Sequence, residues 1–187
     1  MKLDPKKTAV LTLDLQNGIF GMVPGADVVI APAAKAVEFA RQKGFLIIHV
    51  GLGFSKGHPE IPEGSRFSMV KEKGIMVKGS ASAEFHPSIL KADDIIVYKQ
   101  RVSGFSQNEL TMILRAQKIE NLVMFGIATS GITLSTLRQA SDLDFKCTIL
   151  KDGCADRDEE VHRVLTEKVF PGQATVLTVD EFIVQQN

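Results

Sequence analysis

The chain has 187 residues, of which 44% are hydrophobic and 24% charged, an ordinary composition for a globular protein. Lys and Arg together number 22, as do Asp and Glu, so nothing indicates a nucleic-acid surface or a polybasic membrane anchor. No apolar run reaches the roughly 18–20 residues of a membrane helix, and no signal-peptide stretch precedes the first predicted strand. We therefore expect one domain over residues 1–187, located in the cytosol, with neither nucleic-acid nor membrane partners.

Strand-like and helix-like segments alternate along the chain. Buried strands are predicted at residues 8–14, 45–50, 95–99, 121–126, 145–150 and 174–179. Helices are predicted at residues 31–43, 106–117, 131–143, 158–170 and 180–185, the second of them opening on a capping box from Ser106 to Glu109. Such alternation implies βαβ crossovers, so we expect an α/β fold with three layers, α/β/α, around a central six-stranded and mainly parallel sheet.

Residues 51–94 form the one long irregular stretch, rich in Gly, Pro, Ser and charged residues. A loop of that length in a compact domain is either functional or contains short elements. We interpret it as a lid or a subunit-contact region, with one short helix near residues 87–91.

Two predicted strands end in polar groups that could carry chemistry. Asp14 and Gln16 follow the first strand, and Lys99 and Arg101 follow the third. Taken singly, Asp14 is a common turn or cap residue, and the two cations are typical of solvated surface. Since functional groups of parallel sheets lie beyond the carboxyl ends of the strands, we expect Asp14 and Lys99 to meet there.

A third strand end is a turn of small residues, Gly126-Ile-Ala-Thr-Ser-Gly-Ile132, between the fourth strand and a helix. Such a turn can direct backbone N–H groups into an anion or oxyanion pocket. It can equally be a tight strand-to-helix connection.

Together these motifs resemble the isochorismatase-like family of cysteine hydrolases, over nearly the whole chain. They are DLQN at residues 14–17, KxRxSxF at 99–105 and GIATSG at 126–131. The resemblance implies frequent homo-oligomers, a dimer or tetramer here, and an active site of Asp, Lys and Cys. It matches Asp14 to the family Asp and Lys99 to the family Lys, and it implies a cis peptide between Ile127 and Ala128. The family cysteine falls on Ile132.

An isoleucine cannot be a nucleophile, so the thiol chemistry of the amidase relatives is not expected. The resemblance also extends to enzymes that hydrolyse vinyl ethers without the cysteine, in which a carboxylic acid protonates the enol carbon and water adds. Asp14 is then the acid or base and Lys99 its charge partner. Arg101 is predicted to hold a substrate carboxylate. The other residues predicted to line the substrate pocket are Gln16, Phe105, Ile127, Ala128 and Gly131.

The resulting hypothesis is a hydrolase of a small molecule that we expect to be anionic, acting by vinyl-ether or related C–O or C–N hydrolysis. The alternative is a catalytically silent family member that binds or scaffolds. A third possibility is an amidase with Ser130 or Thr133 as a substitute nucleophile.

No cofactor or metal is expected, because the histidines and cysteines lack ligand spacing. His49 is interpreted as a strand-end residue and His58 as a loop residue. Cys147 is interpreted as a core residue, and Cys154 as a partly exposed loop residue.

Overall fold

The parallel sheet is the central element of the structure, a computed structural model that describes residues 2–187. In chain order its strands are β1 (Thr8–Leu13), β2 (Leu46–Leu52), β3 (Ile95–Lys99), β4 (Asn121–Gly126), β5 (Lys146–Leu150) and β6 (Ala174–Leu177). Their spatial order is β3-β2-β1-β4-β5-β6, and every neighbouring pair is parallel. The predicted α/β class and the six-stranded sheet are confirmed.

Helices pack around this sheet. In chain order they are α1 (Asn17–Phe20), α2 (Ile30–Lys43), α3 (Ser68–Glu72), α4 (Leu110–Ala116), α5 (Leu134–Asp142), α6 (Glu159–Val164) and α7 (Val179–Gln186). Phe39 of α2 packs edge to face against Phe182 of α7, with ring centroids 5.9 Å apart, so these two helices cover the same face of the sheet. No helix within residues 2–187 combines the length and apolar character needed to cross a membrane.

The strand order reverses between β1 and β4, which are the two central strands. Every residue of both strands is buried, whereas the edge strand β3 is only partly buried. Because right-handed crossovers run in opposite directions from such a switch point, a crevice opens there at the carboxyl ends of the strands. Asp14 follows β1 at this point, and the turn that begins at Gly126 follows β4.

Two local predictions are wrong. The capping box does not form: α4 begins after Glu109 without a side-chain cap there, and Asn108 Oδ1 instead accepts from Leu110 N at 3.1 Å. Residues 87–89 form a turn and residues 90–91 have no regular structure, and the chain just before them is held by a hydrogen bond from His86 N to Leu15 O at 3.0 Å. The short helix of the long loop is α3 instead.

Candidate active site

Asp14 and Lys99 form a buried ion pair at the switch point. Lys99 Nζ lies 2.9 Å from Asp14 Oδ2 and also donates to Arg101 O at 3.1 Å. Asp14 has a left-handed backbone (φ 54°), a conformation that Asp tolerates better than most residues, and its N–H donates to Val50 O. The predicted proximity is confirmed, although Lys99 ends an edge strand and its side chain reaches past the end of β2.

Burial works against both charges of this pair. It raises the pKa of the Asp14 carboxyl, while the neighbouring Lys99 ammonium lowers it, and burial prevails. Burial likewise lowers the pKa of Lys99 against the opposing effect of Asp14. Asp14 Oδ1 is buried and has no hydrogen-bond partner within residues 2–187. Since buried polar atoms are nearly always paired, this oxygen is the natural contact point for a ligand.

A cavity of about 380 Å³ opens above the pair. That volume lies in the range of small-molecule sites. Its walls are mostly apolar, with charged groups at the floor and on the rim. The lining residues are Asp14, Ile19, Met22, Val23, Leu52, Arg66, Phe67, Met69, Val70, Lys99, Val102, Ile127, Ala128, Ser130, Gly131, Ile132, Asp156 and Arg157.

The turn after β4 forms one wall of the cavity. The Ile127–Ala128 peptide is cis, as the resemblance implies. Three backbone amides of the turn already have protein acceptors. Thr129 N donates to Ala155 O, and Gly131 N donates to Ala128 O. Ser130 N donates to Asp156 Oδ2 at 2.6 Å. These three amides are therefore not available as oxyanion donors, and the oxyanion pocket at this turn stays a prediction.

Ile132 lies in this wall with only 2% of its surface exposed. The position to which the resemblance assigns the nucleophile is thus an apolar patch beside the ion pair. Ser130 also lines the cavity, but within the described residues its hydroxyl contacts no base. Thr133 is buried and donates to Gly126 O at 3.4 Å, so it faces away from a substrate.

Both cysteines are buried and free. The prediction that Cys154 is partly exposed is wrong: its Sγ donates to Leu150 O at 3.4 Å, and burial raises its pKa to about 12. Burial raises the pKa of Cys147 to about 11. A thiol with so high a pKa is almost entirely protonated at neutral pH and is a poor nucleophile.

Three residues predicted to line the pocket do not do so. The side-chain amide of Gln16 is buried: its Nε2 donates to Leu52 O and Ala83 O, and its Oε1 accepts from Leu52 N. Gln16 therefore stabilises the end of β2. Arg101 is exposed and donates to backbone oxygens of Gln100 and Glu60. Phe105 is a core residue stacked on Phe145, with ring centroids 6.1 Å apart. Ile127, Ala128 and Gly131 do line the cavity.

Three charged residues of the cavity are not among the predicted site residues: Arg66 in the long loop, and Asp156 and Arg157 after β5. Arg157 Nε donates to Met22 O at 3.1 Å, which orients its guanidinium. Asp156 and Arg157 lie just after Cys154, at the end of the polar stretch that follows β5, so their position after a strand end was a usable signal. Arg66 had none, because its loop has no periodicity.

The histidines are committed to structural contacts. His49 lies in the core within β2, not at its end, with its ring nitrogens 2.7 Å from Thr12 Oγ1 and 3.0 Å from Asp94 Oδ2. His58 is a buried loop residue whose Nε2 contacts Ile75 O at 2.8 Å. No group of three or more His, Cys, Asp or Glu within residues 2–187 is placed to hold a metal ion.

The fold, the Asp–Lys pair and the turn after β4 together define a protein of the isochorismatase-like α/β class. Residues 8–181 match the Isochorismatase domain, and the chain belongs to the isochorismatase family. This confirms the resemblance drawn from the three motifs.

Several relatives cover most of the chain. The ureidoacrylate amidohydrolase RutB of Caulobacter vibrioides is 30% identical over 176 residues, 81% of this chain and 78% of that protein. A probable inactive nicotinamidase of Arabidopsis thaliana is 28% identical over 166 residues, 84% of this chain and 85% of that protein. The crystal structure of N-carbamoylsarcosine amidase from Thermoplasma acidophilum has a TM-score of 0.76 and 26% identity, covering 93% of this chain and 97% of that one.

Proposed function

We propose that the chain is a cofactor-free hydrolase of a small anionic molecule, in which Asp14 transfers the proton and no thiol takes part. The observation that carries this proposal is the Asp14–Lys99 pair at the floor of the cavity, with Asp14 Oδ1 left without a partner. The names of the amidohydrolase and amidase relatives support the hydrolase class.

The pair suits acid catalysis of vinyl-ether hydrolysis. Protonated Asp14 gives its proton to the enol carbon, leaving an oxocarbenium ion and a carboxylate, which the Lys99 ammonium stabilises. Water then adds to the cation and returns a proton to Asp14, and the hemiketal breaks into a carbonyl compound and an alcohol. No covalent intermediate is needed, so the apolar Ile132 is no obstacle. It helps instead, because an apolar wall favours the neutral acid.

The anionic end of the substrate is assigned to Arg66 and Arg157 instead of Arg101. With both acids ionised, the cavity holds the cations Lys99, Arg66 and Arg157 against Asp14 and Asp156, an excess of one positive charge. Protonation of Asp14 for the acid step raises this excess to two. Planar guanidinium groups bind carboxylates through two parallel hydrogen bonds, so a bound carboxylate would offset part of the positive charge.

We expect Arg66→Ala and Arg157→Ala each to raise KM roughly tenfold or more with little change in kcat, because a hydrogen bond to a charged group contributes about 1.5–3 kcal/mol. Steady-state kinetics with a carboxylated substrate measures this. Arg101→Ala is the matched control, since Arg101 lies outside the cavity, and its KM should equal that of the wild type. An increase in KM for Arg101→Ala alone would restore the original assignment.

We expect turnover to fall as the pH rises. The acid step needs protonated Asp14, whose pKa burial raises above its ordinary value of 3.8. The protonated fraction, and with it kcat, is therefore largest at low pH and is lost as the pH rises through the folded-state pKa. A pH profile of kcat over the range in which the protein stays folded measures this. A kcat that rises with pH would instead make Asp14 a base.

A silent binding member is the second candidate. Ile132 at the position assigned to the nucleophile favours it, as does the relative named a probable inactive nicotinamidase. The open cavity favours an enzyme, since a protein that had lost its function would tolerate a filled site.

A turnover screen of carboxylated vinyl ethers and small carboxylated amides distinguishes the two candidates. We expect the wild-type protein to turn over at least one vinyl ether. We expect no amide to be hydrolysed through a thiol. Binding of several compounds, detected as an increase in Tm, without turnover of any would support the silent member.

A further inference from the structure

The cavity wall is held from behind by the segment that follows β5. Thr129 lies in the turn after β4, between cavity-lining residues, but it is fully buried and faces away from the cavity. Its N–H donates to Ala155 O at 2.9 Å, and its Oγ1 lies 2.8 Å from His162 Nδ1. The next amide, Ser130 N, donates to Asp156 Oδ2. The turn is therefore fastened at three points, and His162 provides the side-chain contact to Thr129.

We propose that His162 is a positioning residue that holds the turn through Thr129 and couples the shape of the cavity wall to protonation of its imidazole. The inference rests on the proposed function only in treating the cavity as an active site. It concerns a residue outside that cavity.

The ring is placed so that it can be held firmly and still exchange a proton with water. His162 lies in α6, whose start is fixed because Asp158 accepts hydrogen bonds from Glu160 N and Val161 N. The ring is half-buried and lines a second cavity of about 480 Å³ behind the wall. The charged residues that share this cavity with the ring are Lys151, Asp152, Asp156, Arg157 and Glu159.

The contact to Thr129 depends on the protonation state of the ring. In the neutral ring Nδ1 can accept the Thr129 hydroxyl proton, with the N–H on Nε2. Protonation turns Nδ1 into a donor, so the hydroxyl must turn its own hydrogen elsewhere. Within residues 2–187, Thr129 Oγ1 has no other hydrogen-bond partner, so the protonated state leaves a buried donor unpaired.

The environment of the ring favours the neutral form. Burial lowers the pKa of His162 below its ordinary value of 6.5, and Lys151 adds to this, while Asp156 opposes it. The hydrogen bond from the Thr129 hydroxyl to Nδ1 is therefore present at neutral pH. As the pH falls through the lowered folded-state pKa, Nδ1–H becomes the donor to Thr129 Oγ1 and the hydroxyl hydrogen loses its acceptor.

A pH titration followed by 15N NMR of the labelled full chain tests the proposal without needing a substrate. The amide resonances of Thr129 and Ser130 should shift along a sigmoid with the same midpoint as the ring protons of His162. In His162→Asn, which keeps a polar atom near the Nδ1 position, both amides should lie near their wild-type positions and stop titrating. In His162→Leu they should be displaced at every pH.

His86 is the matched control. It is also a partly buried histidine, and its Nδ1 lies 2.7 Å from the hydroxyl oxygen of Ser88. His86→Asn should leave the titration of Thr129 and Ser130 unchanged. Amides that do not titrate in the wild type, or that titrate equally in His162→Asn, would overturn the proposal.

A kinetic arm separates this inference from the proposed function. Asp14→Asn should lower kcat by roughly 10²–10⁴-fold yet leave the titration of Thr129 intact. His162→Leu should lower kcat, and His162→Asn should restore it. If the amides titrate as expected but neither the wild-type protein nor any variant turns over a compound of the screen, the proposed function fails and the coupling remains. If His162→Leu changes neither the amide shifts nor kcat, the coupling itself is absent.

Discussion

Asp14→Asn lowers kcat by roughly 10²–10⁴-fold, the usual contribution of a positioned general acid or base. Asn has the shape of Asp and can still accept the Lys99 Nζ hydrogen bond that is 2.9 Å long in the wild type. It cannot give up a proton to a substrate carbon. The loss should therefore appear in kcat, with KM for an anionic substrate changed little, because the guanidinium groups of Arg66 and Arg157 remain. Steady-state kinetics alongside a Tm measurement shows whether the variant is folded.

Asp142→Asn is the matched control for this substitution. Asp142 is an exposed carboxylate at the end of α5, remote from the cavity, and the change removes the same charge. Its kcat should equal that of the wild type. Substantial turnover by Asp14→Asn would show that the proton comes from another group, and the role given to the buried pair would be wrong.

Lys99→Met lowers the free energy of unfolding by about 3–5 kcal/mol near neutral pH, the typical cost of removing one partner of a buried ion pair. Met replaces the buried Lys stem with little change in volume, so the loss reports the charge. Without the ammonium the pKa of Asp14 rises further, since the main opposition to the effect of burial is then removed. A carboxyl whose folded-state pKa is raised favours the folded state at low pH and loses that contribution as the pH rises. The destabilisation should therefore shrink in acid and grow with pH.

Urea unfolding at a neutral and at an acidic pH measures this effect. The double variant Asp14→Asn/Lys99→Met should be more stable at neutral pH than Lys99→Met alone, because no buried charge is left, and the difference gives the coupling between the two side chains. Lys168→Met, at an exposed lysine, should change stability by no more than about 0.5 kcal/mol. A Lys99→Met protein as stable as the wild type at neutral pH would show that the pair is not charged.

The fold followed from the sequence because buried strands and amphipathic helices have distinct periodicities. The third and fourth strands match their predicted bounds, and the others differ by one or two residues at their ends. The predicted meeting of Asp14 and Lys99 rested on strand topology, which alternation alone largely determines. The helix expected at residues 87–91 failed because tertiary hydrogen bonds in the long loop overrode local preference.

The substrate-binding residues were harder to predict than the acid–base pair. Arg101 and Gln16 follow the strand ends as expected, yet their side chains are held by backbone oxygens in the long loop and at the end of β2. Long-range contacts of this kind decide in which direction a side chain points at the end of a strand. Arg66 reaches the cavity from the long loop, and the placement of a loop without periodicity is not encoded in local sequence. Only the three-dimensional structure of the loop shows that Arg66 lines the cavity.

The central claim is that catalysis needs no thiol, and turnover by the Cys147→Ser/Cys154→Ser protein tests it most directly. Both thiols are buried with raised pKa values, and Ile132 occupies the position that the family resemblance assigns to the nucleophile. With a substrate identified by the screen, we predict that this cysteine-free protein keeps the kcat of the wild type. Loss of turnover in a cysteine-free protein that remains folded would contradict the account and move the nucleophile to one of these two thiols.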